Sequence, residues 1–487
     1  MQEPTRSVET MVIGGDCVER ENEFEREKRQ IWKNVILISL GFLFVFTAFQ
    51  SMSNLQSSIN VEAGLGPYSL ATIYGSLVVS CVFLPSIVMK HLSVKNTMWL
   101  AMLGYNLYIL AQFYPTFGTL IPAAIILGFC AALMWSAKCT YLNVIGARYS
   151  KLGTSLCPET ITVKFFGIFF AFFQTSSIWG NLISSTVLSG GIDSNFTRTQ
   201  DELDKCGPQY CSWKVAETTD QTLIAQPSKS SIYTLAGVFL GSSIIGVLII
   251  ALGVDPLIKF QDKERAISGT SGKKLLMATL FHLTNPLQLL LIPLTIYSGL
   301  EQGLFFTDFT SGFVACGIGT HMIGYVLMSY GALDVISSFS LGYIMRHTGR
   351  VVIFVVGAAF NLGVMVTFLM WTPQFEQLYP YFLLAGFWGI SDGIWQTQIN
   401  AFYGVIFHNN EEAAYSNYRL WESIGFIIAF ILNTNSCLYE NTVVLMCTLS
   451  LGMLGYTIIE FISRKRGTKK VEGQKAEGKE SQEQPTY

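Results

Sequence analysis

Asp392 stands inside an otherwise apolar stretch, Gly389–Ile390–Ser391–Asp392–Gly393–Ile394–Trp395–Gln396, and Gln398 and Asn400 follow it. The four-residue step puts Asp392 and Gln396 on one helical face. A charged side chain at the centre of a bilayer costs roughly 2.5–3.5 kcal/mol on insertion scales, so it marks a functional candidate. Asp392 with Gln396 reads as cavity lining able to coordinate a proton or cation; the alternative is an interhelical hydrogen bond that fixes packing. Asp334 and Glu301 also fall inside apolar runs. Asp334 can line the cavity, pair with a basic group toward the inner side, or serve as a packing contact. Glu301, near an outer helix end, can line the cavity or simply reach water. Lys138, within Trp135–Ser136–Ala137–Lys138–Cys139–Thr140–Tyr141, and Lys164 lie toward inner ends. There a lysine can extend its stem into the headgroup layer; Lys138 is also a cavity candidate. Gln50, Asn54 and Ser57 recur at steps of four and three. Lipid would penalise that polar stripe, which is therefore expected at the cavity mouth. Arg419 and Glu422, three apart, are placed to neutralise each other as an ion pair.

Cys206–Gly207–Pro208–Gln209–Tyr210–Cys211 reads as a local disulfide in an oxidising compartment, with Cys316 and Cys437 as competitors near the same face. A zinc site would need two further ligands nearby, and the sequence supplies none. Gly-x-x-x-x-Gly-Lys and His-Glu-x-x-His are missing, and the five histidines include no pair at ligand spacing in a span. No cofactor or metal is expected, and the chain does not read as an enzyme. Net charge −2 leaves no basic field for nucleic acid.

The elements that must carry these residues are membrane spans. Of 487 residues 51% are hydrophobic and 13% charged, about half the charge of an ordinary soluble domain. So few charges cannot cover a soluble surface of this size, so lipid must. Windows of about 20 apolar residues suit a ~30 Å hydrocarbon core. They predict about twelve all-α spans: 34–54, 69–89, 96–114, 119–142, 161–187, 231–253, 285–306, 317–343, 351–371, 380–404, 417–436 and 442–462. Residues 1–33 are too charged for a cleaved signal peptide and form a cytosolic segment. Bundles of six spans occupy 34–253 and 285–463. A polar outer loop at 188–230, a cytosolic central loop at 254–284 and a cytosolic tail at 464–487 complete the chain. Lysine and arginine support this orientation: Lys28, Lys33, Lys90, Lys95, Arg148, Lys151, Lys273, Lys274, Arg346 and Arg350 all fall on the inner side. Asn195–Phe196–Thr197, in the outer loop, is a glycan acceptor. Arg464–Lys465–Arg466 abuts the last span, where it holds topology and anionic membrane lipid.

The halves repeat. Met89–Lys90–His91 matches Met345–Arg346–His347 at an offset of 347 − 91 = 256, and Gly128–Phe129 matches Gly386–Phe387 at 386 − 128 = 258. Gly167-x-x-x-Ala171 matches Gly425-x-x-x-Ala429, again at 425 − 167 = 258, and each reads as a close helix contact. Three matches, each joining a span to the one six later, favour two six-helix halves. This architecture resembles the major facilitator superfamily, in which the first, fourth, seventh and tenth helices line a central cavity.

Within it the chain resembles the uncoordinated-93 family over roughly residues 34 to 463. The resemblance rests on Leu55–Gln56–Ser57–Ser58, Gly64–Leu65–Gly66 with Tyr74–Gly75, Trp135–Ser136–Ala137 with Cys139–Thr140–Tyr141–Leu142, and Phe166–Gly167–Ile168–Phe169–Phe170. It continues through Trp179–Gly180–Asn181–Leu182–Ile183–Ser184–Ser185, the Cys206/Cys211 loop, Ser391–Asp392–Gly393, and Tyr418–Arg419 with Glu422–Ser423. Lys138 departs from the family's glutamine. The resemblance implies a regulatory or trafficking accessory subunit of another membrane protein, a two-pore potassium channel or a receptor, at the plasma membrane or in endosomes. The alternative is a secondary transporter of a small solute. Transporters of the superfamily carry Gly-x-x-x-Asp-Arg-x-Gly-Arg between helices two and three. Here Lys90, followed by His91, stands at the aspartate position; the second copy has Arg346, followed by His347, Gly349 and Arg350. A latch whose acid has become basic in both halves favours the accessory reading.

Overall fold

The computed structural model describes residues 6–81, 84–152, 158–190, 199–217, 227–260, 281–407 and 411–480. Its long helices are α1 (Arg6–Ile59), α2 (Leu65–Cys81, followed by Leu84–Leu92), α3 (Val94–Ala111), α4 (Phe117–Ser150), α5 (Pro158–Ser189) and α6 (Lys229–Leu248). The second set is α7 (Pro286–Leu304), α8 (Met322–Thr348), α9 (Arg350–Met370), α10 (Tyr379–Ile406), α11 (Glu411–Asn435) and α12 (Leu438–Glu480). Among the described residues, eight of these helices are long and apolar enough to cross a membrane on length and composition alone. In α10 and α11 the shortfall has a physical cause. Ser391, Asp392, Gln398, Asn417 and Glu422 lower their hydropathy, yet all five are buried inside the bundle.

The repeat is visible in the packing. A Cβ on Gly128 of α4 would lie 2.4 Å from the Ile73 carbonyl oxygen of α2, and one on Gly386 of α10 would lie 2.6 Å from Leu333 of α8. The turn between α2 and α3 places Ser93 at φ 63°, and the turn between α8 and α9 places Gly349 at φ 78°, an offset of 349 − 93 = 256. The GxxxA matches diverge. A Cβ on Gly425 would meet the Ile296 carbonyl oxygen at 2.2 Å, whereas one on Gly167 has nothing within 4 Å. Gly167 is therefore not the close helix contact that its spacing predicts.

The halves meet along α2 with α11 and α5 with α8. Tyr74 of α2 stacks on Phe426 of α11 at 4.4 Å between ring centroids, and the Tyr325 N–H of α8 donates to Ser185 Oγ of α5 at 3.0 Å. Where α1 meets the end of α6, Asp255 accepts from Lys33 Nζ of α1 at 2.6 Å and from Lys259 Nζ at 2.8 Å. Burial works to raise the Asp255 carboxyl, but the hydrogen bonds and charges of Lys259 and Lys33 outweigh it and bring it down to about 2.

Two differences from the sequence reading concern α7 and the loop between α5 and α6. First, α7 does not stop near residue 306. It continues as a π-helix, Phe305–Ala315, and closes at Cys316–Ile318. Thr307, Thr310 and Ser311 lower the hydropathy there, but each hydroxyl donates to a carbonyl one turn back, at 2.6–2.7 Å. Second, Cys206 and Cys211 do not pair with each other. Cys206 bonds to Cys316 and Cys211 to Cys437. The 3-10 turn Gly207–Gln209 lies between the two cysteines, so they serve different neighbours. Gly207, at φ 66°, packs so closely on Pro373 that a Cβ would sit 2.7 Å away. Cys211 forms a one-residue antiparallel bridge with Cys437, and the Leu438 N–H donates to the Tyr210 carbonyl at 2.9 Å. The loop between α5 and α6 is thus a strap from the first half onto the second. Asn195 and Lys273–Lys274 lie outside the described residues.

Candidate functional site

The acids converge within the second half. Gly389 and Gly393 bring α10 onto α8: Cβ atoms there would stand 2.2 Å from the Tyr330 carbonyl oxygen and 2.1 Å from Ser337 Oγ. That contact sets Asp392 against Tyr330, whose hydroxyl donates to Asp392 Oδ2. Gly299 and Gly303 do the same for α7 against α11, with Cβ positions 1.9 Å from the Glu422 carbonyl oxygen and 2.5 Å from Ala429 Cβ. Glu301, between them, is completely buried and faces Asp392 within hydrogen-bonding reach. It does not reach water near a helix end, because α7 runs on beyond it. Asp334, one turn past Tyr330, accepts from Ser338 Oγ at 3.3 Å.

From Asp392 a hydrogen-bonded path leads toward the seam between the halves. Gln396 Nε2 donates to Asp392 Oδ1 at 3.4 Å and to Ser298 Oγ at 3.2 Å. The Tyr418 hydroxyl lies 3.3 Å from Gln396 Oε1 and 2.8 Å from Glu422 Oε1. Glu422 Oε2 in turn holds Arg419 Nη1 at 2.6 Å. The Arg419 side chain is 61% exposed, so the path begins at an accessible cation and ends at a buried acid cluster.

The first-half candidates are arranged otherwise. Lys138 does not extend to the headgroup layer; it is buried, with Nζ 4.3 Å from the ring centre of Phe169, 4.8 Å from Trp135, 4.9 Å from Phe166 and 5.0 Å from Phe170. Among the described residues no carboxylate pairs with it. The stripe on α1 is packed rather than open at a cavity mouth. Asn54 Nδ2 approaches Asn181 Oδ1 of α5 at 3.4 Å, and Ser57 Oγ donates to the Thr307 carbonyl of α7 at 3.3 Å. Gln50 is half-buried. At the latch positions His91 and His347 are exposed, and the side chains of Lys90 and Arg346 lie outside the described residues. Beside Gly349, Arg350 Nη2 donates to Glu460 Oε2 of α12 at 2.8 Å.

Asp308 is a buried acid that sequence reasoning missed. It sits in the π-helical part of α7, where Asn433 Nδ2 donates to Oδ1 at 2.6 Å and Asn441 Nδ2 to Oδ2 at 2.9 Å. A cavity of about 10 Å³ beside it, walled by Phe305, Phe368, Trp388 and Leu438, has room for about one water. The available signal was the phenylalanine series 305, 306, 309 and 313, which keeps helical spacing through the polar residues.

The chain matches the family described as ion channel regulatory protein UNC-93 over residues 56–457. It is 38% identical to protein unc-93 homolog A of Homo sapiens over 437 residues, covering 89% of this chain and 94% of that protein. It is 33% identical to the putative potassium channel regulatory protein unc-93 of Caenorhabditis elegans over 453 residues, covering 92% of this chain and 63% of that one. Among solved structures, the nucleoside transporter NupG superposes with TM-score 0.59 at 13% identity, covering 88% of this chain and 99% of that one. The tetrameric PepTSo2 structure superposes with TM-score 0.58 at 11% identity, covering 89% and 99%. At such identities the likeness shows the fold: an integral membrane protein of the major facilitator type, with two pseudo-repeated six-helix bundles.

Proposed function

The chain belongs to the UNC-93 family, and from that membership we propose that it is a non-enzymatic regulatory or trafficking subunit of a potassium channel at the plasma membrane. Both termini are then cytosolic, and Asn195 carries a glycan on the outer side. The observation that carries the reading is the strap. Alternating access requires the outer ends of the two halves to part, and the disulfides Cys206–Cys316 and Cys211–Cys437 fasten the loop between α5 and α6 of the first half across onto the second half. The contact of Ser57 with Thr307 joins α1 to α7 at the same level. A scaffold that does not rock offers a partner a fixed surface, and the basic latch positions fit that use.

Co-expression with a panel of two-pore potassium channels, read as co-purification and as current density, tests it. At least one channel should co-purify and change its current; no association and no altered current across the panel would retire the reading. A second reading, transport of a small solute, is favoured by the polar path of the second half. Saturable uptake into proteoliposomes that Asp392→Asn weakens would establish it in place of the first.

A further inference from the structure

Glu301 differs from its neighbours in having no donor. It is completely buried, and neither carboxyl oxygen receives a hydrogen bond. The indole N–H of Trp388 stands beside it without closing one. Asp392, which it faces, is well supplied by the Tyr330 hydroxyl and the Gln396 amide. An uncompensated buried carboxylate is prohibitively costly, and two carboxyls in mutual hydrogen-bonding reach cannot both carry charge. Among the described residues no three His, Cys, Asp or Glu side chains converge to hold a metal ion. A proton on one of the two carboxyls removes the second charge and gives Glu301 a hydrogen bond to donate.

We propose that Glu301 and Asp392 form a proton-binding site. Glu301 carries the proton and donates to Asp392, and the site exchanges with the seam between the halves along Gln396, Tyr418 and Glu422. The surrounding groups are consistent with this. Tyr297 on α7, Tyr330 and Asp334 on α8, and Tyr418 and Glu422 on α11 surround the pair. None is a cation. Arg419 is committed to Glu422; Tyr74 of α2 and Lys138 of α4 face that end of the path from the first half. The asymmetry of donors assigns the roles: Asp392 can remain ionised on Tyr330 and Gln396, whereas Glu301 has nothing else to hold a charge. The site is indifferent to which partner or solute the protein serves.

Infrared difference spectroscopy on the full chain in lipid nanodiscs tests the proposal. Wild-type protein should show a carboxylic-acid C=O component that shifts in D₂O and fades as pH is raised. Glu301→Gln should remove that component. Asp392→Asn should keep it but move its titration to lower pH, because the neighbouring negative charge that holds the proton on Glu301 is gone. Tyr418→Phe should leave the component and slow its hydrogen–deuterium exchange several-fold. A wild-type spectrum identical to that of Glu301→Gln, or a component titrating unchanged in Asp392→Asn, overturns the proposal. If either variant does not fold, unchanged exchange in Tyr418→Phe overturns it and slowed exchange supports it.

Discussion

The two halves place different chemistry at equivalent positions of one scaffold. At the 258-residue offset set by Gly128/Gly386, Met134 corresponds to Asp392, Lys138 to Gln396, and Lys164 to Glu422. At Lys138 of the first half the buried group is a cation, and ring faces compensate it. In the second half the buried groups are acids, compensated by hydroxyl and amide donors that join into a path. A ring face attracts a cation without offering a donor or acceptor to pass along, so the first arrangement ends where it starts. A hydrogen-bonded network continues to the seam. The repeat thus supplies positions, and at the matched pair Lys138 and Gln396 the side chains connect the second-half position, and not the first-half one, to a hydrogen-bonded path.

Removing what joins the halves should have the largest effect on this comparison. The Cys206–Cys316 and Cys211–Cys437 bonds close separations of 110 and 226 residues, and a disulfide of that kind contributes about 2–5 kcal/mol. Cys316→Ser with Cys437→Ser should lower the thermal midpoint and split unfolding into two transitions, one per half. A single transition at the wild-type midpoint would show that the noncovalent contacts of α2 with α11 and α5 with α8 suffice.

The next effect separates the halves directly. Gly425→Ala forces a methyl against the Ile296 carbonyl oxygen and should cost about 1–3 kcal/mol through overpacking. Gly167→Ala meets open space and should gain about 0.5–1 kcal/mol from helix propensity. Thermal unfolding in detergent reads both; equal effects would mean that the halves share more packing than Gly167 shows. Smaller still is Lys138→Met, which keeps the stem and removes the charge. If the ring cage is purely structural, stability should change by under about 1.5 kcal/mol and the infrared component assigned to Glu301 should be unaffected. A change in that component would connect the two halves after all.

Much of this was legible because the cost of polar groups in lipid is large. It singled out Asp392, Asp334, Glu301 and Lys138, and the glycine matches exposed the repeat. The same reasoning misjudged places where a local rule gave way to a distant partner. Cys206 and Cys211 look like a natural pair at five residues, but Cys316 and Cys437 become adjacent to them only after both bundles form. Thr307, Asp308 and Ser311 read as a loop because hydropathy counts a hydroxyl as polar, even one already bonded to its own helix. Misplacing that segment put Glu301 near water. Gly167 and Gly425 share a motif, and the difference between them lies entirely in what packs opposite.

The smallest effect tests the junction of the first half with the central segment. Asp255 has its carboxyl depressed to about 2 from an ordinary 3.8, since Lys33 and Lys259 outweigh the opposing effect of burial. A depressed carboxyl contributes stability that is fully present above its unfolded-state value and lost as pH falls through its folded value. Between about pH 4 and pH 2 the unfolded chain takes up the proton first, so acid favours unfolding there. Both lysines are about half exposed, and solvent-screened pairs of this kind contribute about 0.2–1 kcal/mol. Asp255→Asn should flatten the acid limb of the stability profile by no more than that, and leave the profile above pH 5 parallel to wild type. An acid limb left as steep as before would mean that the Asn34 side chain, whose Oδ1 accepts from the Asp255 N–H at 3.0 Å, holds this end of α6 to α1 without help from charge.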